Sequence, residues 1–402
     1  MVGKEENYAA YKLNPNRALT QAQQRLKQEI LDFCQEDPAE EQTVLLVEGA
    51  AGTGKSVLLS SAFFELQKRT KTERKVTQDN AKNYLLVNHP EMLKAYKNVA
   101  ETTPYLLKKD FERPTTFINR LHKMQQQAAV VFVDEAHLLL SKKDSYNHFQ
   151  QENQLEEILK LSQRVVLIYD NTQVLKFKSF WDEQRLAKVL EARVCKKIQL
   201  QQQFRIEAHA DVYEWIDAFC QRQLKKWPQN QSFELRVYQD AGQMYQEICK
   251  KNKEEGLSRI LATYDFPYRL DGQEYFVTAN HFKLRWDMSK PQEKFAWAER
   301  ADTIDEVGSV YTVQGFDLNY AGIIIGPSIT YNEALDRLEV LPEKYEDQAA
   351  FMGSQNVPNA SQAKQQLMLN ALYVIMTRAR KGLFLHAVDE KLQNKLQQLA
   401  QE

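Results

Sequence analysis

The segment TVLLVEGAAGTGKSVLLSSAFFELQKR, residues 43–69, constrains the fold more than any other. It joins a short apolar run to a glycine-rich turn and then to a segment with helical spacing. TVLLVEG (43–49) stops at a glycine, and SVLLSSAFFELQKR (56–69) repeats its apolar residues at helical intervals. Between them, GAAGTGKS (Gly49–Ser56) fits G-x-x-x-x-G-K-[ST]. Glycines let successive backbone N–H groups wrap a phosphate, and the helix N-terminus that follows adds a favourable dipole. Gly49, Gly52, Thr53 and Gly54 would form this cradle. Lys55 would reach the β- and γ-phosphates, and the Ser56 hydroxyl would ligate Mg²⁺.

The same grammar runs through the rest of the first half. YLLVN (84–88), AVVFVD (129–134) and RVVLIYD (164–170) are apolar, β-branched runs that each stop at a polar residue. The amphipathic stretch HFQQENQLEEILKLSQ lies between the last two. Apolar strands separated by helices imply a parallel sheet covered on both faces. The second half repeats the pattern with RILATYD (259–265), AGIIIGP (321–327) and GLFLHAV (382–388), and QLMLNALYVIMTR reads as a helix leading into the last of them. The expected class is α/β, with one domain over 1–198 and a second over 199–402, joined near 196–204.

With 402 residues, 43% hydrophobic and 27% charged, the chain has the profile of a soluble globular protein of two or three domains. Its net charge of −1 shows no global basic excess, so any nucleic-acid contact must come from a local patch. The four cysteines are scattered with no CxxC pair, which suits core thiols in a reducing cytoplasm better than a zinc site or disulfide framework. No export signal and no membrane span are expected.

AVVFVD continues into EAH. Asp134 at the strand tip can hold Mg²⁺ through water, and Glu135 beside it is placed to orient and deprotonate an attacking water. His137 either couples the site to a ligand or caps the chain locally. In LIYDNTQ, Asp170 and Gln173 end the next strand, where a glutamine can sense a γ-phosphate. Two arginines then need partners: Arg205 in LQQQFR, and Arg378 in YVIMTRARKGLFLH. Burying a guanidinium beside apolar runs costs several kcal/mol without one. Cations arriving from a second domain can neutralise the charge that develops on a transferred phosphoryl group. A structural ion pair is the alternative for each.

Leu19, Thr20 and Gln23 (LTxxQ), GAAGTGKS, VDEAH, YDNTQ, QFR, VYTVQGFD (Val310–Asp317) and VIMTRAR occur in this order. The set resembles the motif series of superfamily 1 helicases. The wording of QQFRIEAHADVYEWIDAF, GSVYTVQGFDLNYAGIIIGP and NALYVIMTRARKGL resembles the bacterial family of Schlafen group 3-type DNA/RNA helicase domains, over about residues 19–390. The resemblance implies two tandem RecA-like domains with parallel sheets and an ATP cleft between them. It implies that Gln23 reads adenine, that Gln173 and Arg205 sense the γ-phosphate, and that Arg378 is the finger of the last motif. Thr312, Gln314 and Gly315 would link nucleotide to nucleic acid. Asp317 stands where larger helicases usually carry Glu, one methylene shorter in its reach to the ribose. The large accessory insertions of processive members are missing, which bears on strand separation more than on hydrolysis or translocation.

A strand bound without sequence preference needs a basic groove and aromatic platforms. By resemblance, the contacts in the first domain would be Asn88, His89, Thr115 and Thr116, and in the second Thr263, Thr312 and Gln314. The stretch YDFPYRLDGQEYFVTANHFKLRW reads as a hairpin with an Asp-Gly turn, whose Tyr268, Phe282 and Trp286 either stack on bases or pack the hairpin down. The leading expectation is an ATP-driven motor on single-stranded DNA or RNA, with ATP and Mg²⁺ as its ligands. The alternative is an ATP-gated switch or assembly subunit that works with a nuclease or other protein partner, in defence against mobile DNA, without unwinding. A phosphotransferase would leave QFR and TRAR unexplained.

Overall fold

A computed structural model describes residues 8–36, 42–49, 54–73, 82–145, 148–170, 173–179, 183–191, 193–200, 210–229, 232–269, 271–288, 290, 292–354 and 359–401. Gly52, Thr53 and Arg205 lie outside the described residues. The chain divides into two compact units, one within 9–203, the other within 204–402 together with Leu175–Phe177.

The N-terminal unit holds six strands: β1 (Gln42–Gly49), β2 (Tyr84–Val87), β3 (Phe111–Glu112), β4 (Ala128–Asp134), β5 (Ser162–Tyr169) and β6 (Val194–Leu200). They form one sheet in the order β3-β2-β4-β5-β1-β6, with every pairing parallel. Val131 and Val133 of β4 join one buried cluster with Val44, Leu46, Phe117 and Leu167. Phe132, between them, packs edge-on against Phe63 of the helix Lys55–Glu73 at 5.4 Å, and Phe63 meets Phe111 at the same distance. Both faces are therefore covered, which is why these strands read as continuous apolar runs and not as alternation. Helix starts follow local chemistry. His89 caps Pro90–Thr102 with its ring nitrogen, and proline occupies the first turn. Asn153 caps Gln154–Lys160.

The C-terminal unit holds β7 (Glu234–Val237), β8 (Ser258–Ala262), β9 (Phe276–Ala279), β10 (Phe282–Trp286), β11 (Glu306–Gly308), β12 (Leu318–Ile325), β13 (Ile329–Asn332), β14 (Arg337–Val340) and β15 (Ala379–Ala387). Seven of them form a sheet in the order β7-β15-β12-β8-β11-β10-β9, parallel except for the edge hairpin β9–β10. The hairpin is present, but its turn is Asn280-His281, with His281 at φ 50°, and not the upstream Asp271-Gly272. Phe282 and Trp286 point into the core, where Trp286 stacks on Tyr264 at 5.2 Å, so they pack the hairpin down. The acidic and amide-rich stretch after β12 contains the small antiparallel ribbon β13–β14. No described helix is long and apolar enough to cross a membrane.

Gly326 follows β12 where the chain passes Asp265. A Cβ there would lie 2.3 Å from Asp265 Oδ2 and 2.5 Å from Asp265 Cβ. Gly326 N also donates to Thr263 Oγ1 at 2.7 Å, so the backbone cannot back away freely. Gly326→Ala is expected to destabilise the C-terminal unit by about 1–3 kcal/mol. In thermal unfolding this is a fall of roughly 2–4 °C per kcal/mol for a unit of this size.

Candidate functional site

Because β1, β4 and β5 run parallel, their C-terminal ends reach the same edge of the sheet, which is where ligands of open α/β sheets bind. Gly49 ends β1, Asp134 ends β4, and Asp170 follows β5. Gly54, at φ 78°, adopts a left-handed turn before the helix Lys55–Glu73, a conformation that suits glycine. That turn brings Lys55 Nζ 3.0 Å from Asp170 Oδ2 and within hydrogen-bond reach of the Gly49 carbonyl. Gln173 Nε2 donates to the same Asp170 oxygen at 2.6 Å. The lysine, aspartate and glutamine expected from the motifs thus meet in one buried network.

Asp134 is wholly buried beside it. Ser56 Oγ donates to Asp134 Oδ1 at 3.3 Å, and Glu135 N donates to that oxygen at 3.0 Å. Burial first, then the charge of Glu135, push the Asp134 carboxyl up to about 6. The second oxygen, Oδ2, accepts a bond from Tyr96 Oη at 2.6 Å. Tyr96 lies on the helix Pro90–Thr102 with its ring stacked on Phe111, and burial holds its phenol protonated, as a donor. A paired hydroxyl and carboxylate are hard oxygen donors of the kind Mg²⁺ takes, with water or phosphate oxygens completing its shell. The residues present fit that ion.

Glu135 adopts φ 52°, ψ 48°, a left-handed conformation that costs a non-glycine residue on the order of 1–2 kcal/mol. His137 Nε2 sits 3.2 Å from Glu135 Oε2, so this histidine meets the acidic pair. Gln23 serves as part of a helix cap. Thr20 and Gln23 form a reciprocal capping box at the start of the helix Gln21–Gln35, with Thr20 N donating to Gln23 Oε1 at 3.0 Å.

The residues expected to touch a strand are distributed as follows. Asn88 Nδ2 donates to the Leu138 carbonyl at 2.8 Å, and Asn88 Oδ1 accepts from Arg113. His89 is buried as a helix cap. Thr115 is buried, and its neighbour Thr116 is exposed. In the C-terminal unit, Thr263 turns inward, donating to Asp265. Thr312 donates to Asp287 Oδ2 at 2.6 Å, and Ser309 binds the same oxygen through N and Oγ. Gln314 is buried, Gly315 turns at φ 85°, and Asp317 is buried next to it. Arg378 is 0% exposed, and its guanidinium donates to the carbonyls of Val374 (2.7 Å) and Phe316 (3.4 Å) in its own unit.

Tyr96 escaped the sequence reading. It lies in a helical stretch where an aromatic reads as core, and nothing in PEMLKAYKN marks it as a partner of Asp134. Tyr96→Phe is expected to weaken divalent-ion binding by about tenfold or more, since it frees one oxygen of the ligating carboxylate to turn. Titration with Mn²⁺, followed by its paramagnetic signal, measures this, and an unchanged affinity would remove Tyr96 from the site.

A profile of the family described as Schlafen group 3, DNA/RNA helicase domain, matches residues 42–389. The uncharacterized protein YPL245W of Saccharomyces cerevisiae is 39% identical over 413 residues, covering 95% of this chain and 91% of that protein. The similarity therefore reaches a yeast chain as well. Among solved structures, the Pif1 helicase from Candida albicans aligns at 12% identity with a TM-score of 0.37, over 96% of this chain and 98% of that one. AMPPCP-bound DnaA from Aquifex aeolicus aligns at 14% identity with a TM-score of 0.27, over 55% of this chain and 57% of that one. Scores at this level carry no argument. The profile, which spans most of the chain, does, and by it the chain belongs to the Schlafen group 3 DNA/RNA helicase domain family.

Proposed function

We propose that the chain is an ATP hydrolase that acts as a motor or remodeller on single-stranded DNA or RNA. The observation that carries the reading is the convergence of Lys55, Ser56, Asp134, Glu135, Asp170 and Gln173 on one edge of a parallel sheet. Family membership supports the nucleic-acid part. The reading takes the two units as tandem RecA-like domains, 1–198 and 199–402, that act on one ATP.

Each residue then has a task. Gly49, Gly52, Thr53 and Gly54 present backbone donors to the phosphates. Lys55 exchanges its bond to Asp170 for the β- and γ-phosphate oxygens. Ser56 and Asp134 would hold Mg²⁺, which would supply positive charge to offset that of the phosphates. Glu135 orients a water and takes its proton, and Gln173 reports whether a γ-phosphate is present. Gln23 contacts the base, while Gly315 and Asp317 contact the nucleotide from the second unit. Arg205 and Arg378 supply positive charge as the phosphoryl group leaves. Asn88, His89, Thr115, Thr116, Thr263, Thr312 and Gln314 follow the strand.

Steady-state ATP hydrolysis with and without single-stranded DNA and RNA tests this. Wild type is expected to be stimulated by at least one of them. Lys55→Ala and Glu135→Gln are expected to lower the stimulated rate by a factor of about a hundred or more. Arg378→Ala is expected to lower it as well. Because Arg378 is buried on its own unit's carbonyls, that variant also loses about 2–4 kcal/mol of stability, read from a parallel melt. Hydrolysis that ignores both nucleic acids would sink the motor reading in favour of a nucleotide-gated switch with a protein partner.

A further inference from the structure

Two of the residues read as strand contacts are tied to one short stretch of backbone, and that stretch starts at Glu135. Asn88 Nδ2 holds the Leu138 carbonyl at 2.8 Å. Thr115 reaches the same stretch through Gln154. Gln154 Nε2 donates to Thr115 Oγ1 at 2.9 Å, and Gln154 Oε1 accepts from Leu140 N at 2.8 Å. Gln154 N also donates to the Leu140 carbonyl at 2.9 Å, so residues 140 and 154 are joined twice by main-chain groups and a side chain.

Gln154 is 0% exposed. A buried carboxamide keeps its partners, because leaving either end unsatisfied is costly. When one partner shifts, the amide follows and carries the other with it. Thr115 accepts the Gln154 bond and, as a hydroxyl, still has a proton to give. A phosphate oxygen that takes this proton pulls on the same chain of bonds. At the other end, Ala136–Leu138 is a single 3-10 turn closed by Leu138 N on the Glu135 carbonyl at 2.8 Å. Glu135 is the joint. Its left-handed backbone persists only while its neighbours hold it there, so a small movement of the turn re-aims its carboxylate.

We propose that Gln154 is a positioning residue that, with Asn88, passes occupancy of the strand site to Glu135 by setting the backbone of residues 136–140. The inference rests on the reading of Asn88 and Thr115 as strand contacts. It assigns a task to a residue outside every motif.

The test uses the full chain with oligothymidylate and oligouridylate of one length. Gln154→Met keeps the side-chain length and the main-chain bonds but removes both amide contacts. Thr115→Val cuts the same link from its other end. Hydrolysis is measured at saturating oligonucleotide, and the oligonucleotide Kd by fluorescence anisotropy. The stimulated kcat of Gln154→Met is expected to fall by about tenfold, the size of an ordinary coupling between sites, with Kd unchanged. The double variant should lose no more than Gln154→Met alone, because both changes break one link. A melting curve confirms that each variant is folded, and Gln154→Leu, which also removes both amide contacts, carries the test if Gln154→Met is not. Stimulation equal to wild type in the variants would overturn the relay while leaving the motor reading intact. A weakened oligonucleotide Kd in Gln154→Met with the stimulated kcat kept would reduce Gln154 to a support of the strand site and also overturn it. A wild type that neither nucleic acid stimulates would overturn both.

Discussion

Parallel pairing of β1 with β5 is the constraint on which the site depends. Val44 lies opposite Val165 and Glu48 opposite Tyr169, so the two strands finish level. Gly49 at the end of β1 and the Asp170 carboxylate just past β5 then both come within reach of Lys55. The lysine that starts the next helix has an anion waiting for it before any ligand arrives. Slipping the register by one residue would turn the side chains of each strand onto the other face, and both faces here are packed. The core and the site are held by the same hydrogen bonds.

The acidic pair at the tip of β4 divides its work by environment. Asp134 has both oxygens engaged, with Ser56 and the Glu135 amide on one and Tyr96 on the other, which fixes the plane of the carboxylate. Glu135 is held differently, by a turn of backbone in a costly conformation and a histidine at its carboxylate. One carboxylate suits a fixed ligand, and the other suits a group whose aim can change.

Four strands of the N-terminal sheet, β1, β2, β4 and β5, were legible because burial on both faces leaves uninterrupted runs such as VVFV and VVLI, each stopping at a glycine or a polar residue. The phosphate loop, DEAH and YDNTQ could be placed by their positions at strand ends. The hairpin of the C-terminal unit was legible as an element but not in its turn. Asp271-Gly272 has the stronger turn signal, and Gly272 does turn at φ 81°, but the residues that pair, Phe276–Ala279 and Phe282–Trp286, flank Asn280-His281, so the hairpin reverses there. Tyr96 and Gln154 were not legible. Each sits on a helix whose pattern explains it as packing, and only the fold brings its polar atom to a partner many residues away. The LTxxQ motif shows the converse: a signature read for ligand contact forms a helix cap, since a threonine and a glutamine three residues on make a capping box.

The interior position of β1 has a consequence for how the chain comes into being. Its two neighbours are β5 and β6, and Val44 must wait for Val165 and Cys195. On a ribosome adding about 5–20 residues per second, the first partner emerges roughly 6–24 s after β1 itself. Through that interval the apolar strand that begins the phosphate loop has no sheet to join. The first unit therefore cannot close during synthesis until most of its length has appeared, and the segment most central to the site is also the one longest exposed to aggregation and to chaperones.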